Sequence, residues 1–219
     1  MVFIWQSLFV FVVLRNFLTV KYYYMSANFY FVFVKKEKDI DLPSFLDTVG
    51  YDGYSKTEAV DIWSTSKPSD LFVGEYNGYL IFSDDNLPMQ FFNDEPTDIE
   101  KIFTSQFPNT EITAFMLNES VGFFGYTIID NGKRKKFKHG SDGVVRANKG
   151  DILPQEVEML KSEIFLKEEI ESMIENGENI DALIEFEASY RVTGQLISER
   201  LGKDFYTLKD NEVTLFKYE

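Results

Sequence analysis

Two hydrophobic periods run along this chain and divide it into strands and helices. Asn28 to Val34 (NFYFVFV) is an unbroken apolar and aromatic run that ends in the charged stretch Lys35 to Asp39. A run of that length, rich in β-branched and aromatic residues, predicts a buried strand. Leu71 to Tyr76 and Tyr79 to Ser83 flank Asn77-Gly78, the dipeptide that supplies the positive-φ pair of a type I′ hairpin. Glu111 to Leu117 and Gly122 to Ile129 read as further strands, and Asn131-Gly132 turns the second of them into Lys133 to Lys138. Asn148 to Asp151 closes this β-rich part. Phe205 to Leu208 and Val213 to Tyr218 read as two short strands at the end of the chain.

The helical period appears between and after these strands. Leu42 to Gly50, with Pro43 near its start and Gly50 at its end, predicts a short helix. Ser55 to Trp63 predicts another, with Ser55 as N-cap and Glu58 at the capping-box position. Thr97 to Phe107 repeats that signature with Thr97 and Glu100. Gln155 to Glu175, opened by Pro154 and stopped by Gly177, carries Val157, Leu160, Ile164, Leu166 or Met173, and Ile170 at approximately helical spacing. Ala188 to Leu201 places Val192, Leu196, Ile197 and Leu201 on one side, with Gly202 after it. The sum is an α+β protein: a largely antiparallel sheet with helices packed on it, in a single domain over residues 25–219. If that domain subdivides, the point is near residue 150.

An apolar extension precedes it. Residues 1–24 hold Arg15 and Lys21 and no acid, while the chain from Met25 holds 20 basic residues against 36 acidic ones, a net −16. Arg15 and Asn16 interrupt the leader where a spanning helix needs hydrocarbon. Tyr22, Tyr23 and Tyr24 stand where a cleaved signal needs small residues. The expectation is that Met25 is the true start and residues 1–24 are an artefact of an upstream one. A membrane anchor is the first alternative and a secretion signal the second, and only the anchor keeps the protein at a membrane.

Composition narrows the function further. With 44% apolar and 16% aromatic residues the chain has ample material for a core. It has no cysteine, which removes disulfides, thiolate metal sites and cysteine nucleophiles and suits a cytoplasmic location. Its acidity opposes nucleic-acid binding and favours a basic partner.

Candidate chemistry is sparse. The one histidine, His139, reads as a polar residue of an exposed hairpin loop, and no G-x-S-x-G elbow accompanies it. The acidic stretches Asp39, Asp41, Asp47, Asp52 and Asp84, Asp85, Asp94 do not match a calcium loop. Gly122, Gly125 and Gly132 make no dinucleotide fingerprint, and no Walker loop is present. No cofactor, metal or catalytic residue is expected. Phe91-Phe92 and Phe123-Phe124 read as core, with an aromatic-lined pocket as the alternative.

The local exception is the run Lys133, Arg134, Lys135, Lys136, Phe137, Lys138. Strand alternation would send Lys133, Lys135 and Phe137 to one face and Arg134, Lys136 and Lys138 to the other. An edge strand guarded by lysines, paired with neighbouring acids, accounts for it. Should the chain carry a functional surface, the candidates are Lys133, Arg134, Lys135, Lys136 and Lys138, as an anion- or partner-binding strip.

The order GEYNGYLIFSDDNLPMQFF, then FFGYTIIDNGK, then LPQE opening a long helix, resembles a group of uncharacterised, acidic bacterial α+β proteins. The similarity runs from about Gly74 to the C-terminus and leaves out the leader. It implies an acidic cytoplasmic protein and brings no catalytic residue. The leading functional expectation is a non-enzymatic protein-binding module, for example an immunity- or antitoxin-like domain that neutralises a basic partner. The alternative is a carboxylate-based enzyme or small-ligand protein with an aromatic-lined pocket.

Overall fold

An unbroken apolar run needs cover on both sides, and β1 (Asn28–Lys35) has it. In the computed structural model, which describes residues 28–66 and 70–219, Phe29, Phe31 and Phe33 enter one apolar cluster while Val32 and Val34 enter another. β1 pairs with β4 (Tyr79–Ser83) on one side and β5 (Glu111–Asn118) on the other, and so lies at the centre of the sheet. The leader, and with it the choice between start-site artefact and anchor, lies outside the described residues. Among the described residues, no helix is long and apolar enough to cross a membrane.

The sheet has nine strands, ordered β2-β9-β3-β4-β1-β5-β6-β7-β8, with every neighbouring pair antiparallel. From β5 the chain meanders through β6 (Phe123–Asp130), β7 (Lys133–Ser141) and β8 (Val144–Gly150). On the other side β3 (Leu71–Tyr76) forms a hairpin with β4, and the last strand, β9 (Thr214–Tyr218), slots between β3 and β2 (Lys56–Asp61). Asn77-Gly78, Asn131-Gly132 and Asp142-Gly143 make the tight turns, each with positive φ at both residues.

Helices cover both faces. On one lie α1 (Leu42–Thr48), α2 (Asp98–Gln106) and the 3-10 turn Pro88–Phe91, where Phe45, Phe82, Phe91, Phe103 and Phe107 meet mostly edge-to-face. On the other lies α5 (Ile180–Leu201), which buries Val192, Leu196, Ile197 and Leu201 against the sheet. Gly194 is required there: a Cβ would sit 2.5 Å from the Tyr206 hydroxyl. Full burial of an aromatic side chain stabilises by about 1.5–3 kcal/mol, so these two layers dominate the fold's energetics. The α+β reading, an antiparallel sheet with helices packed on it, therefore holds.

Four local expectations change. Ser55 to Trp63 is not a helix: β2 occupies Lys56–Asp61 because β9 offers an open edge. Reciprocal bonds between the Ser55 and Glu219 backbones start that pairing, and a weak helix preference yields to it. Gln155 to Glu175 is not one helix but two, α3 (Pro154–Lys161) and α4 (Lys167–Glu175). Ile164 and Phe165 drop into the core between them, Arg191 Nη2 donates to the Ile164 carbonyl at 3.1 Å, and Glu169 accepts the Leu166 N–H at 2.8 Å to start α4. α5 begins at Ile180 rather than Ala188, because Asn179 caps it by accepting the Ala182 N–H. Phe205–Thr207 is a 3-10 turn, not a strand, with Phe205 driven into the core beside Phe29 and Trp63.

Candidate functional site

The basic run of β7 does not lie at an edge, because β8 pairs along its outer side. Nor does simple alternation hold. Ile129 pairs with Arg134 and Ile128 with Lys136, so Lys135 is the extra residue of a bulge. Arg134 and Phe137 consequently share one face, and Lys136 and Lys138 the other. Of the five candidates, Lys133 and Lys135 are exposed, while Arg134, Lys136 and Lys138 are drawn into ion pairs. The five make no continuous exposed strip.

Arg134 holds α2 and the loop before it. Its Nε donates to Glu100 Oε1 at 2.8 Å, Nη2 meets Glu100 Oε2, and Nη1 donates to the Asn93 carbonyl at 2.6 Å. On the opposite face Lys136 and Lys138, 2% and 3% exposed, converge on Glu156 of α3. Lys136 Nζ lies 2.9 Å from Glu156 Oε2 and Lys138 Nζ 3.1 Å from Oε1. The Tyr126 hydroxyl donates to Oε1 at 2.8 Å, and the Leu153 N–H donates to Oε2 at 2.7 Å. Lys138 also reaches Glu185 of α5 at 3.3 Å, and Lys136 donates to Asn148 at 2.9 Å.

Burial alone would raise the Glu156 carboxyl. The Leu153 N–H, Lys136, Tyr126 and Lys138 outweigh it and hold the group below the ordinary carboxylate value. Burial, with Glu156 next, pushes the Tyr126 phenol well up. Both Glu156 oxygens are already occupied, leaving no room for a substrate. The network docks the first turn of α3 onto β7.

His139 lies within β7, half-buried, rather than in an exposed loop. Its ring stacks on Phe123 at 6.1 Å and meets Phe137 at 5.3 Å and Phe92 at 6.3 Å edge-on. Nδ1 is buried without a hydrogen-bond partner, and burial lowers the imidazole pKa against the opposing pull of Asp94. Phe91 and Phe124 are fully buried on opposite faces, Phe92 packs on the cluster that holds Phe91, and half-buried Phe123 stacks on His139. No group of three or more His, Cys, Asp or Glu residues able to hold a metal occurs among the described residues.

Two concavities lie on the side of α5. The first, about 420 Å³, gathers Tyr79, Glu111, Gln155, Glu199 and Arg200 over Ile128, Leu153 and Leu196. Its polar residues are distant in sequence, and no spacing could have nominated them. The second, about 390 Å³, is a groove between α3, α4 and α5 with an apolar floor of Leu160, Ile164, Phe165, Ile170 and Ile184. Glu163, Glu171 and Lys167 stand on its rim, Lys167 3.7 Å from Glu171. Leu160 in the groove is exposed, as are Leu166 and Ile174 elsewhere on the arm, Ile174 to 61%. Residues 154–184 hold nine acids and two lysines, so half of the chain's net −14 belongs to this arm.

No family model matches the chain, and neither a curated protein nor a solved structure matches it.

Proposed function

We propose that the chain is a protein-binding module whose α3–α4 arm receives a basic, apolar-faced segment of a partner protein, such as an amphipathic helix. One observation carries this reading: an apolar groove, with Leu160 exposed in its lining, lies on an acidic arm of net −7 that also exposes Leu166 and Ile174. Apolar patches rimmed by polar residues mark interaction sites, and a helix laid in a groove buries its apolar face while its lysines meet the acidic rim. Neutralisation of a basic partner, as by an immunity protein or antitoxin, is one form of this role. A cytoplasmic location, suited to a chain without cysteine, belongs to the same reading.

The test is fluorescence anisotropy with a labelled helical peptide of leucine and lysine, and the same peptide with glutamate in place of lysine. The lysine peptide is expected to bind, with affinity falling as salt rises. Leu166→Ser with Ile174→Ser should weaken it by about 1–2 kcal/mol, the scale of a modest hot spot. Equal binding of both peptides, or no effect of the double variant, would remove the reading.

A further inference from the structure

The cleft at the far end of α5 is already organised around charge. Arg200 of α5 spans two carboxylates, with Nη2 at 3.2 Å from Glu111 Oε1 and Nη1 at 3.2 Å from Glu199 Oε2. Gln155 donates to both oxygens of Glu199 at 2.9 and 3.0 Å, and Asn77 fixes the Arg200 carbonyl from below at 2.8 Å. The two carboxylates against one guanidinium leave the cleft with one negative charge in excess.

Part of that charge is unclaimed. The hydrogen bonds and ion pair of Glu111, from Tyr79 at 3.4 Å, Thr113 at 3.5 Å and Arg200, all fall on Oε1, and Oε2 has no partner. Arg200 itself is 7% exposed and its Nε finds no acceptor. The cleft also sits at the C-terminal end of a 22-residue helix, where the macrodipole favours cations. A group suited to these features carries a positive charge for Glu111 Oε2 and an aliphatic stem for Ile128, Leu153 and Leu196.

We infer that this cleft is a second binding site, for an arginine- or lysine-type residue of a polypeptide. The inference adds a contact to the partner surface described above without depending on the groove. Ile184 and Glu199 are fifteen residues apart on α5, about 22 Å along its axis, so the two sites can be tested separately.

The experiment is an NMR titration of the full chain with Nα-acetylarginine methylamide, with its neutral citrulline counterpart, and with methylguanidine. The arginine derivative is expected to shift the resonances of Tyr79, Glu111, Gln155 and Glu199. Glu111→Gln should weaken it about fivefold, the scale of one charge-assisted hydrogen bond in an open cleft, and Leu166→Ser with Ile174→Ser should not change it. Weaker binding of methylguanidine supports a polypeptide-borne cation read through its stem. Binding of methylguanidine as tight as the capped residue overturns that part and leaves a site for small cations. Equal binding of the citrulline derivative, shifts confined to other regions, or an unaltered affinity in Glu111→Gln overturns the whole inference. Glu199→Gln serves as the second variant if Glu111→Gln does not fold.

Discussion

The sheet body and the α3–α4 arm are built to different standards. In the body each sheet face is sealed by its own large cluster, and the Phe residues of β1, β5 and α2 are fully buried in edge-to-face contact. The arm rests on a small third cluster of Ile164, Phe165, Met173 and Ala188, and leaves Leu166 and Ile174 in water. The body thus carries the large aromatic core, while the arm pairs a small core with exposed Leu160, Leu166 and Ile174 and a net charge of −7 over residues 154–184. This separates the element that must be rigid from the surface that can bind. The Glu156 network joins them, since it fastens the start of α3 to β7.

The largest expected effects fall on the joint and on the body. Glu156→Gln leaves Lys136 and Lys138 buried without their shared carboxylate and should cost about 3–5 kcal/mol in urea unfolding. Adding Lys136→Met and Lys138→Met should recover much of that loss. Phe31→Ala opens a cavity at the sheet centre and should cost about 3–5 kcal/mol by the same measurement. A serine replacement of all five basic residues of β7, harmless for an exposed strip, should unfold the protein. It would strand both Glu100 and Glu156.

A smaller effect follows pH. Glu156 is held below the unfolded carboxyl's value of 4.5, so its stabilisation is complete above that pH and is lost as pH falls through the folded value. His139 is held below its ordinary 6.5, so the neutral imidazole stabilises above that pH and protonation erodes it as pH falls through the lowered value. Urea midpoints from neutral pH to below 4 should therefore decline, and more shallowly in the variant that lacks Glu156 and both lysines. A decline as steep in that variant would remove the network from the explanation.

The arm should also open alone. Amides of α4 are expected to exchange hydrogen at a lower free energy than those of β1 and β5, because little buried surface holds the helix down. Exchange of both regions at one common free energy would merge the arm into the body. The smallest effect belongs to Leu166→Ser with Ile174→Ser, within about 0.5 kcal/mol of the parent stability per site, because neither side chain is buried.

Much of the body was legible in the pattern of the chain. NFYFVFV reads as a doubly covered strand because its burial is set by composition, and Asn-Gly turns announce their own dihedrals. Thr97 likewise caps α2 by accepting the Glu100 N–H at 3.2 Å. The misreadings share one physical cause, which is that the deciding partner lies far away in sequence. β2 is a strand because β9 arrives at its side, and α3 stops because Ile164 and Phe165 find the core beneath α5. β8 has mostly exposed side chains and so no period to read, although Asp142-Gly143 marked its turn.

The site was less legible still. The charge pattern of Lys133 to Lys138 stood out in the sequence, but which of those charges are satisfied depends on Glu100 and Glu156, 34 and 20 residues from Arg134 and Lys136. A bulge at Lys135 then moves Arg134 to the face opposite Lys136. Tyr79, Glu111 and Arg200 come together only in the folded chain.

The most direct test of the arm as the binding surface is site-specific photo-crosslinking in the protein's own cells. One reactive side chain would stand at Leu166 in the arm and, in a separate chain, one at Thr104 on α2 across the sheet. The account expects Leu166, and not Thr104, to cross-link to a basic, apolar-faced segment of another protein, with loss of the product when Ile174→Ser is added. Cross-links from both positions alike, or from Leu166 only to a second copy of this chain or to residues 1–24, would contradict it.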